Sequence, residues 1–199
     1  FRISAPAERP KRLARKTVAV LGPDELADWL EAAGLAVARL QSLQDEVLRK
    51  AHLLVLGPHR AEPGSDQLPA LRQFVRKGGG LVVLDQEHSP FPGILRQPRT
   101  AWLATLRRPG HDAFAGLKPA DLICWNNRSV AASGYVVAPA IAPAVSVLAE
   151  NDGLALLLEF AEGKGSVLAC QLQILPALGS TPPAGQLLMN LLSCAAAGA

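Results

Sequence analysis

Apolar and polar positions divide the chain into two stretches with different rhythms. In the first, short β-branched runs alternate with amphipathic ones. "KTVAVLG" ends at Gly22 and leads into "PDELADWLEAAG", where Leu26, Trp29 and Leu30 share one face at i, i+3, i+4 spacing. Pro23 or Asp24 opens that helix and Gly34 closes it. "LAVARL" reads as a second strand and "SLQDEVLRKA" as a short helix capped by Ser42. "HLLVLGP" is a third strand, and its unbroken apolar run suits a central parallel position. "SDQLPALRQFVRKGGG" is a helix with Leu68, Leu71, Phe74 and Val75 inward, stopped by three glycines, and "LVVLD" is the fourth strand. Such alternation predicts a parallel sheet with right-handed crossovers, an open doubly wound α/β fold.

After residue 90 the pattern changes. "SPFPGILRQPRT" is Pro-rich and irregular, and short β-like runs crowd together at 121–126, 134–138 and 144–149. "GLALLLEFAEGKGSVLACQLQ" predicts a hairpin turning at Glu162-Gly163-Lys164-Gly165. "AGQLLMNLLSCAA" predicts a last helix that packs through Leu187, Leu188, Leu191 and Leu192. No internal repeat is present.

Composition narrows the class. Nearly half the residues are apolar and 19% are charged, so 199 residues suffice for one sizeable core. Residues 1–16 carry +5 and the remaining 183 carry −2, which confines the basicity to an N-terminal arm. Two readings of that arm stand: a contact for nucleic acid, or a solvated linker, which Pro6 and Pro10 support. The plainer linker reading divides the chain into an arm at 1–16 and one domain at 17–199, with neither nucleic acid nor membrane as a partner. No apolar run is long and clean enough to span a bilayer. From the start at Phe1, without Met or a signal pattern, the expectation is a processed or excised piece. Cys124, Cys170 and Cys194 have no C-x-x-C spacing, so they form neither a zinc site nor a disulfide framework. No phosphate cradle is present either: "GGG" precedes a strand instead of opening a helix, and "EGKGS" sits in a hairpin turn. No cofactor or metal is expected.

Three stretches carry a resemblance. "LRQFVRKGGGLVVLDQ" is similar to the helix, triple-glycine and strand segment of the class I glutamine-amidotransferase-like superfamily, in its non-catalytic branches. "HDAFAGLKPADLICWNN" resembles a segment of domains attached to bacterial β-galactosidases and other glycoside hydrolases. "LLEFAEGKGSVLACQL" followed by "AGQLLMNLL" resembles their final hairpin and helix. The resemblance implies a flavodoxin-like three-layer open sheet, mainly parallel, with a C-terminal β-hairpin and final helix. It also implies a bacterial accessory domain whose partners are neighbouring domains of a larger polypeptide. An extracytoplasmic address follows only from the glycosidase analogy.

Catalytic members of that superfamily carry a cysteine on the turn after the strand that "GLVVLD" matches, and a His and Glu after the last core strand. A thiolate needs that exposed elbow, backbone N–H groups and a base. Here the elbow reads Asp85-Gln86-Glu87, and "QLQILPALGS" after the last strand holds neither His nor Glu. The resemblance therefore implies a non-catalytic chain. A different site is conceivable from Asp85, Glu87 and His88, with His59 after the third strand, acting on a metal or a proton at the carboxyl edge of the sheet. The rival reading gives these residues a structural or solvated role. His52 and His111 read as local hydrogen-bonding groups. A third possibility is carbohydrate binding on exposed aromatic rings, with Trp102, Trp125 and Tyr135 as candidates. Trp125, with Phe114, Leu117 and Leu122, equally suits an anchor of the irregular segment into the core.

Overall fold

The structure, a computed structural model, describes residues 11–44, 46–58, 67–125 and 128–198. Residues 1–10 of the arm lie outside that range. The four apolar runs of the first half form β1 (Thr17–Leu21), β2 (Ala36–Arg39), β3 (Leu53–Leu56) and β4 (Gly80–Leu84), all parallel. They are joined by α1 (Asp24–Ala32), a 3-10 turn at Glu46–Lys50, and α2 (Gln67–Arg76). Side chains alternate across these strands with a period of two. Val18, Val20, Val55, Val82 and Leu84 lie on the face covered by α1 and α4. Ala19, Leu21, Leu54, Leu56 and Val83 face Leu71 and Val75 of α2. Both faces of β1, β3 and β4 are thus covered, which is why these three strands carry no polar face, whereas the edge strand β2 is partly exposed.

The second half continues the same sheet. Its strands are β5 (Ile94–Ala101), β6 (Thr105–Leu106), β7 (Ala131–Val137), β8 (Val145–Asn151), β9 (Leu154–Glu162) and β10 (Gly165–Cys170). They are followed by a short α3 (Ile174–Ala177) and by α4 (Pro182–Ala197). The strand order is β2-β1-β3-β4-β10-β9-β7-β5, with β8 pairing both β9 and β6. Among the described residues this is one ten-stranded open α/β sheet. β10 is parallel to β4, and beyond it every pairing is antiparallel. The antiparallel share is larger than the sequence rhythm of the first half suggests, because the crowded runs of the second half join the sheet and do not form a separate layer.

Three local expectations need correcting. "PGILRQPRT" is a strand and not an irregular loop. β5 ends the sheet order, and a proline lacking an N–H is tolerated on such an edge, where the ladder shifts register between Pro98 and Ala101. The 121–126 run is no strand: Pro119–Leu122 forms a 3-10 turn, tightened by the Lys118 N–H donating to Asp121 at 2.8 Å, and only isolated bridges follow. The helix expected from Ser42 is reduced to a 3-10 turn, and the Ser42 hydroxyl accepts from the Gln44 N–H before it begins.

The hairpin and last helix match the sequence reading. Glu162 pairs with Gly165, and Gly163 adopts φ +65°. α4 starts on Pro182 and Pro183, residues suited to a first turn, and is buried on nearly all sides. It lies so close to the sheet that a Cβ on Gly80 would meet the Ala195 carbonyl oxygen at 2.4 Å. The triple glycine therefore has separate tasks: Gly78 turns at φ +110°, and Gly80 makes room for α4. Leu13, in the turn Lys11–Leu13, is fully buried in the core on the α4 side. Among the described residues no helix is long and apolar enough to cross a membrane.

Candidate functional site

The carboxyl edge of β4 and β10 is where an open α/β sheet places ligands, at the point where its chain order changes. β4 ends in Leu84, and Asp85 follows with φ +36°, a left-handed conformation that costs a non-glycine residue about 1–3 kcal/mol. Its N–H donates to the Cys170 carbonyl at 2.7 Å, so the turn is held against the end of β10. Asp85 is 9% exposed.

Gln86, fully buried, fixes this turn from inside. Its amide donates to the carbonyls of Leu84 at 2.5 Å and Gly57 at 2.6 Å. The Gln171 amide in turn donates to the Gln86 carbonyl at 3.2 Å. Two glutamines thus tie together the ends of β3, β4 and β10. Beneath them lies a small buried polar group on the antiparallel side. Ser133 Oγ, the Tyr135 hydroxyl and Gln171 Oε1 make no hydrogen bond of normal geometry among the described residues. Burial, with Cys170 and Asp85 nearby, pushes the Tyr135 phenol well above its usual range.

The sequence-derived candidates separate in space. Asp85 is buried, whereas Glu87 and His88 are exposed. A continued strand would have put Asp85 and Glu87 on one side, but the left-handed turn at Asp85 ends the strand first. Among the described residues no group of three His, Cys, Asp or Glu side chains could hold a metal. His59 lies outside the described residues.

Neither Cys170 nor Cys194 is placed as a nucleophile. Burial pushes Cys170 up to about 12 and Cys194 up to about 11. Cys124 is half-buried, on a left-handed turn at φ +45°. His52 and His111 are local hydrogen-bonding groups: His52 Nδ1 accepts from the Thr17 N–H, and His111 Nδ1 accepts from the Ala113 N–H while its Nε2 pairs with Glu159 at 3.1 Å.

The aromatic candidates divide as well. Trp102 is 56% exposed, next to the exposed Leu103 and near Ile123, which bridges Leu103 across the chain. Trp125, in contrast, is 3% exposed, and its indole N–H donates to the Asp121 carbonyl at 2.8 Å. Tyr135 is 1% exposed. As sugar-stacking platforms, Trp125 and Tyr135 are corrected to core residues, because neither ring has a free face. The start of the 111–125 segment, residues 111–117, is docked by Asn190 of α4, whose amide donates to the carbonyls of Ala113 at 3.1 Å and Ala115 at 2.8 Å. Sequence reasoning named Gln86 only as part of the elbow, without a role, and passed over Ser133, Gln171 and Asn190. The available signal was a polar residue inside or at the end of an otherwise apolar run.

The elbow, the two-sided parallel strands and the antiparallel extension define an open-sheet α/β domain with a polar, closely tied carboxyl edge. The chain belongs to the family described as a domain of unknown function, DUF4350, whose model matches residues 18–170. No curated protein matches it significantly. Among solved structures it is similar to a cytoplasmic protein of Salmonella typhimurium, with a TM-score of 0.60 at 13% identity, covering 90% of this chain and 98% of that one. A protein from Thermoplasma acidophilum, provisionally assigned as a component of GMP synthase, gives a TM-score of 0.63 at 12% identity, covering 92% of this chain and 94% of that one. β-Galactosidase from Bacillus circulans gives 0.56 at 16% identity, where 88% of this chain matches 30% of the enzyme. At such identities the likeness concerns the fold.

Proposed function

We propose that the chain is a non-catalytic, amidotransferase-like domain of flavodoxin-like type, serving as an accessory or packing module of a larger carbohydrate-active protein. The observation that carries this reading is the elbow after β4. Where a thiol would be needed it holds Asp85, with Gln86 donating inward to Leu84 and Gly57 and Glu87 turned to solvent. The buried state of Cys170 and Cys194 supports it, since a thiol at about 12 or 11 supplies little nucleophile near neutrality. The β-galactosidase supports the modular part, because a domain of this fold forms only 30% of that chain. Partners would then be adjoining domains of the same polypeptide.

The test is hydrolysis of glutamine and of aryl-glycosides by the purified chain. The expected outcome is no turnover above the uncatalysed rate in either assay, unchanged in Asp85→Asn. Enzyme-like turnover with either substrate, lost in Asp85→Asn, would sink the proposal in favour of a hydrolase built on Asp85.

A second reading rests on Trp102, whose exposed ring next to Leu103 offers a surface on which a sugar can stack. On that reading Trp102→Ala weakens binding to an oligosaccharide array and leaves the melting temperature unchanged. Trp125→Ala lowers stability by about 3–5 kcal/mol, as core aromatic deletions do. Equal array binding by wild type and Trp102→Ala would remove this reading.

A further inference from the structure

A second concave surface lies at the opposite edge of the parallel strands, away from Asp85. Lys16 stands just before β1, His52 just before β3, and Gly78 and Gly79 just before β4. Together with the Glu46–Lys50 turn and the outer side of α2 they enclose a cleft of about 490 Å3. That volume falls in the range of small-molecule sites.

Its floor is apolar. Leu43, Leu48, Ala51, Ala70 and Phe74 supply the apolar lining. Phe74 packs against Gly79: a Cβ there would meet its ring at 2.4 Å, so glycine at 79 is what lets the ring approach the backbone so closely. The ring is only half-buried and lines the cleft.

The rim is cationic. Lys16, Arg49 and Lys77 border the cleft, and no Asp or Glu does so among the described residues. Several arginines elsewhere, though not all, are matched by acids: Arg39 with Asp24, Asp28 and Glu31, Arg72 and Arg76 with Glu162, and Arg107 with Glu150. The three rim cations form no ion pair among the described residues. His52 adds a donor. Its Nδ1 accepts the Thr17 N–H at 3.2 Å, which leaves Nε2 as the protonated nitrogen of the neutral ring. This concentration of charge is local, since residues 17–199 together carry −2.

We propose that this cleft is a binding site for a small amphipathic anion: a flat apolar body on Leu48 and Phe74, bearing a carboxylate, sulfonate or phosphate held by Lys16, Arg49 and Lys77. An apolar lining bordered by cations that form no ion pair among the described residues concentrates such a ligand, because burial of its body and attraction of its head act at the same place. A neutral sugar would gain little from that rim. The site is therefore independent of the function proposed above.

The probe is 1-anilinonaphthalene-8-sulfonate, followed by its fluorescence on titration into the intact chain. Saturable binding to one site is expected, weakening with added salt, and a neutral phenylnaphthylamine should bind more weakly. Arg49→Glu and Lys77→Glu should each weaken binding about fivefold, which corresponds to ~1 kcal/mol. Ala70→Trp should abolish it by filling the floor. Circular dichroism and the melting temperature establish that each variant is folded. If Ala70→Trp fails to fold, the two charge reversals on exposed side chains decide alone. Absence of saturable binding, or binding by folded variants that is indifferent to both charge reversals, overturns the proposal.

Discussion

Cys170 ends the central strand β10 with its side chain in the core, and burial pushes its thiol from the ordinary 9.0 up to about 12. A raised pKa in the folded state means that the unfolded chain loses its proton first. The stability contributed by the neutral thiol is complete below about pH 9 and is lost as pH climbs toward about 12, by about 1.4 kcal/mol per pH unit for one such group. Cys194 shifts in the same direction, up to about 11. The melting temperature should therefore hold level up to about pH 8.5 and fall above it, with a shallower fall in Cys170→Ala. A profile that is identical in the variant would mean that other groups set the alkaline limit. In the native protein a thiol reagent should modify Cys124 before the other two, since it alone is not buried. Asp85 illustrates the opposite case at this scale. Its identity is plain in the sequence, but its left-handed backbone is not, and that turn is what separates it from Glu87 and His88.

Among the elements, α4 has the widest reach. It covers β3, β4 and β10, approaches α1 so closely that a Cβ on Gly185 would meet Trp29 at 2.8 Å, and docks the 111–117 segment through Asn190. Asn190 is the one polar group that α4 spends on this task, and Gln186 donates to its oxygen at 2.9 Å. Asn190→Ala removes the donor from two carbonyls and should destabilise the chain by about 1–3 kcal/mol. Denaturant unfolding would give that number, and a loss under about 0.5 kcal/mol would show that water replaces the amide. The helix itself was legible as an apolar run, and so were α1, α2 and β1 to β4, because 3.6- and two-residue periods report which face is buried. β5 was not, since Pro98 argues against a strand unless the strand is known to lie at an edge. The 121–126 run misled for the reverse reason: Ile123, Cys124 and Trp125 look like strand residues, yet Pro119 and the Asp121 side chain set a 3-10 turn beside them.

At the scale of the whole molecule, one core runs through both halves of the chain. Leu26 and Trp29 of α1, Leu148 and Leu156 of the antiparallel strands, Phe114 and Trp125 of the irregular segment, and Leu188 of α4 belong to a single buried cluster. Such a core predicts that the two halves unfold together. Far-ultraviolet circular dichroism and tryptophan fluorescence should report coincident thermal transitions. Two separated transitions would show that the parallel and antiparallel halves are independent units. Sheet pairing follows the same logic, for β10 brings the chain back from the antiparallel half to lie parallel with β4 and closes the gap between them.

By itself the sequence determined the elements with a clear period, the hairpin at Gly163, and the lack of a cysteine at the elbow, because each of these is a property of neighbouring residues. Tertiary structure alone decided which polar groups meet. Gln86 and Gln171 lie 85 positions apart, Asn190 reaches residues 77 and 75 positions away, and the cationic rim gathers Lys16, Arg49 and Lys77 from the starts of three strands and their flanking turns. Local periodicity reports burial but carries no record of the partner. Those juxtapositions are fixed only when the crossovers bring distant strand ends to the same edge of the sheet.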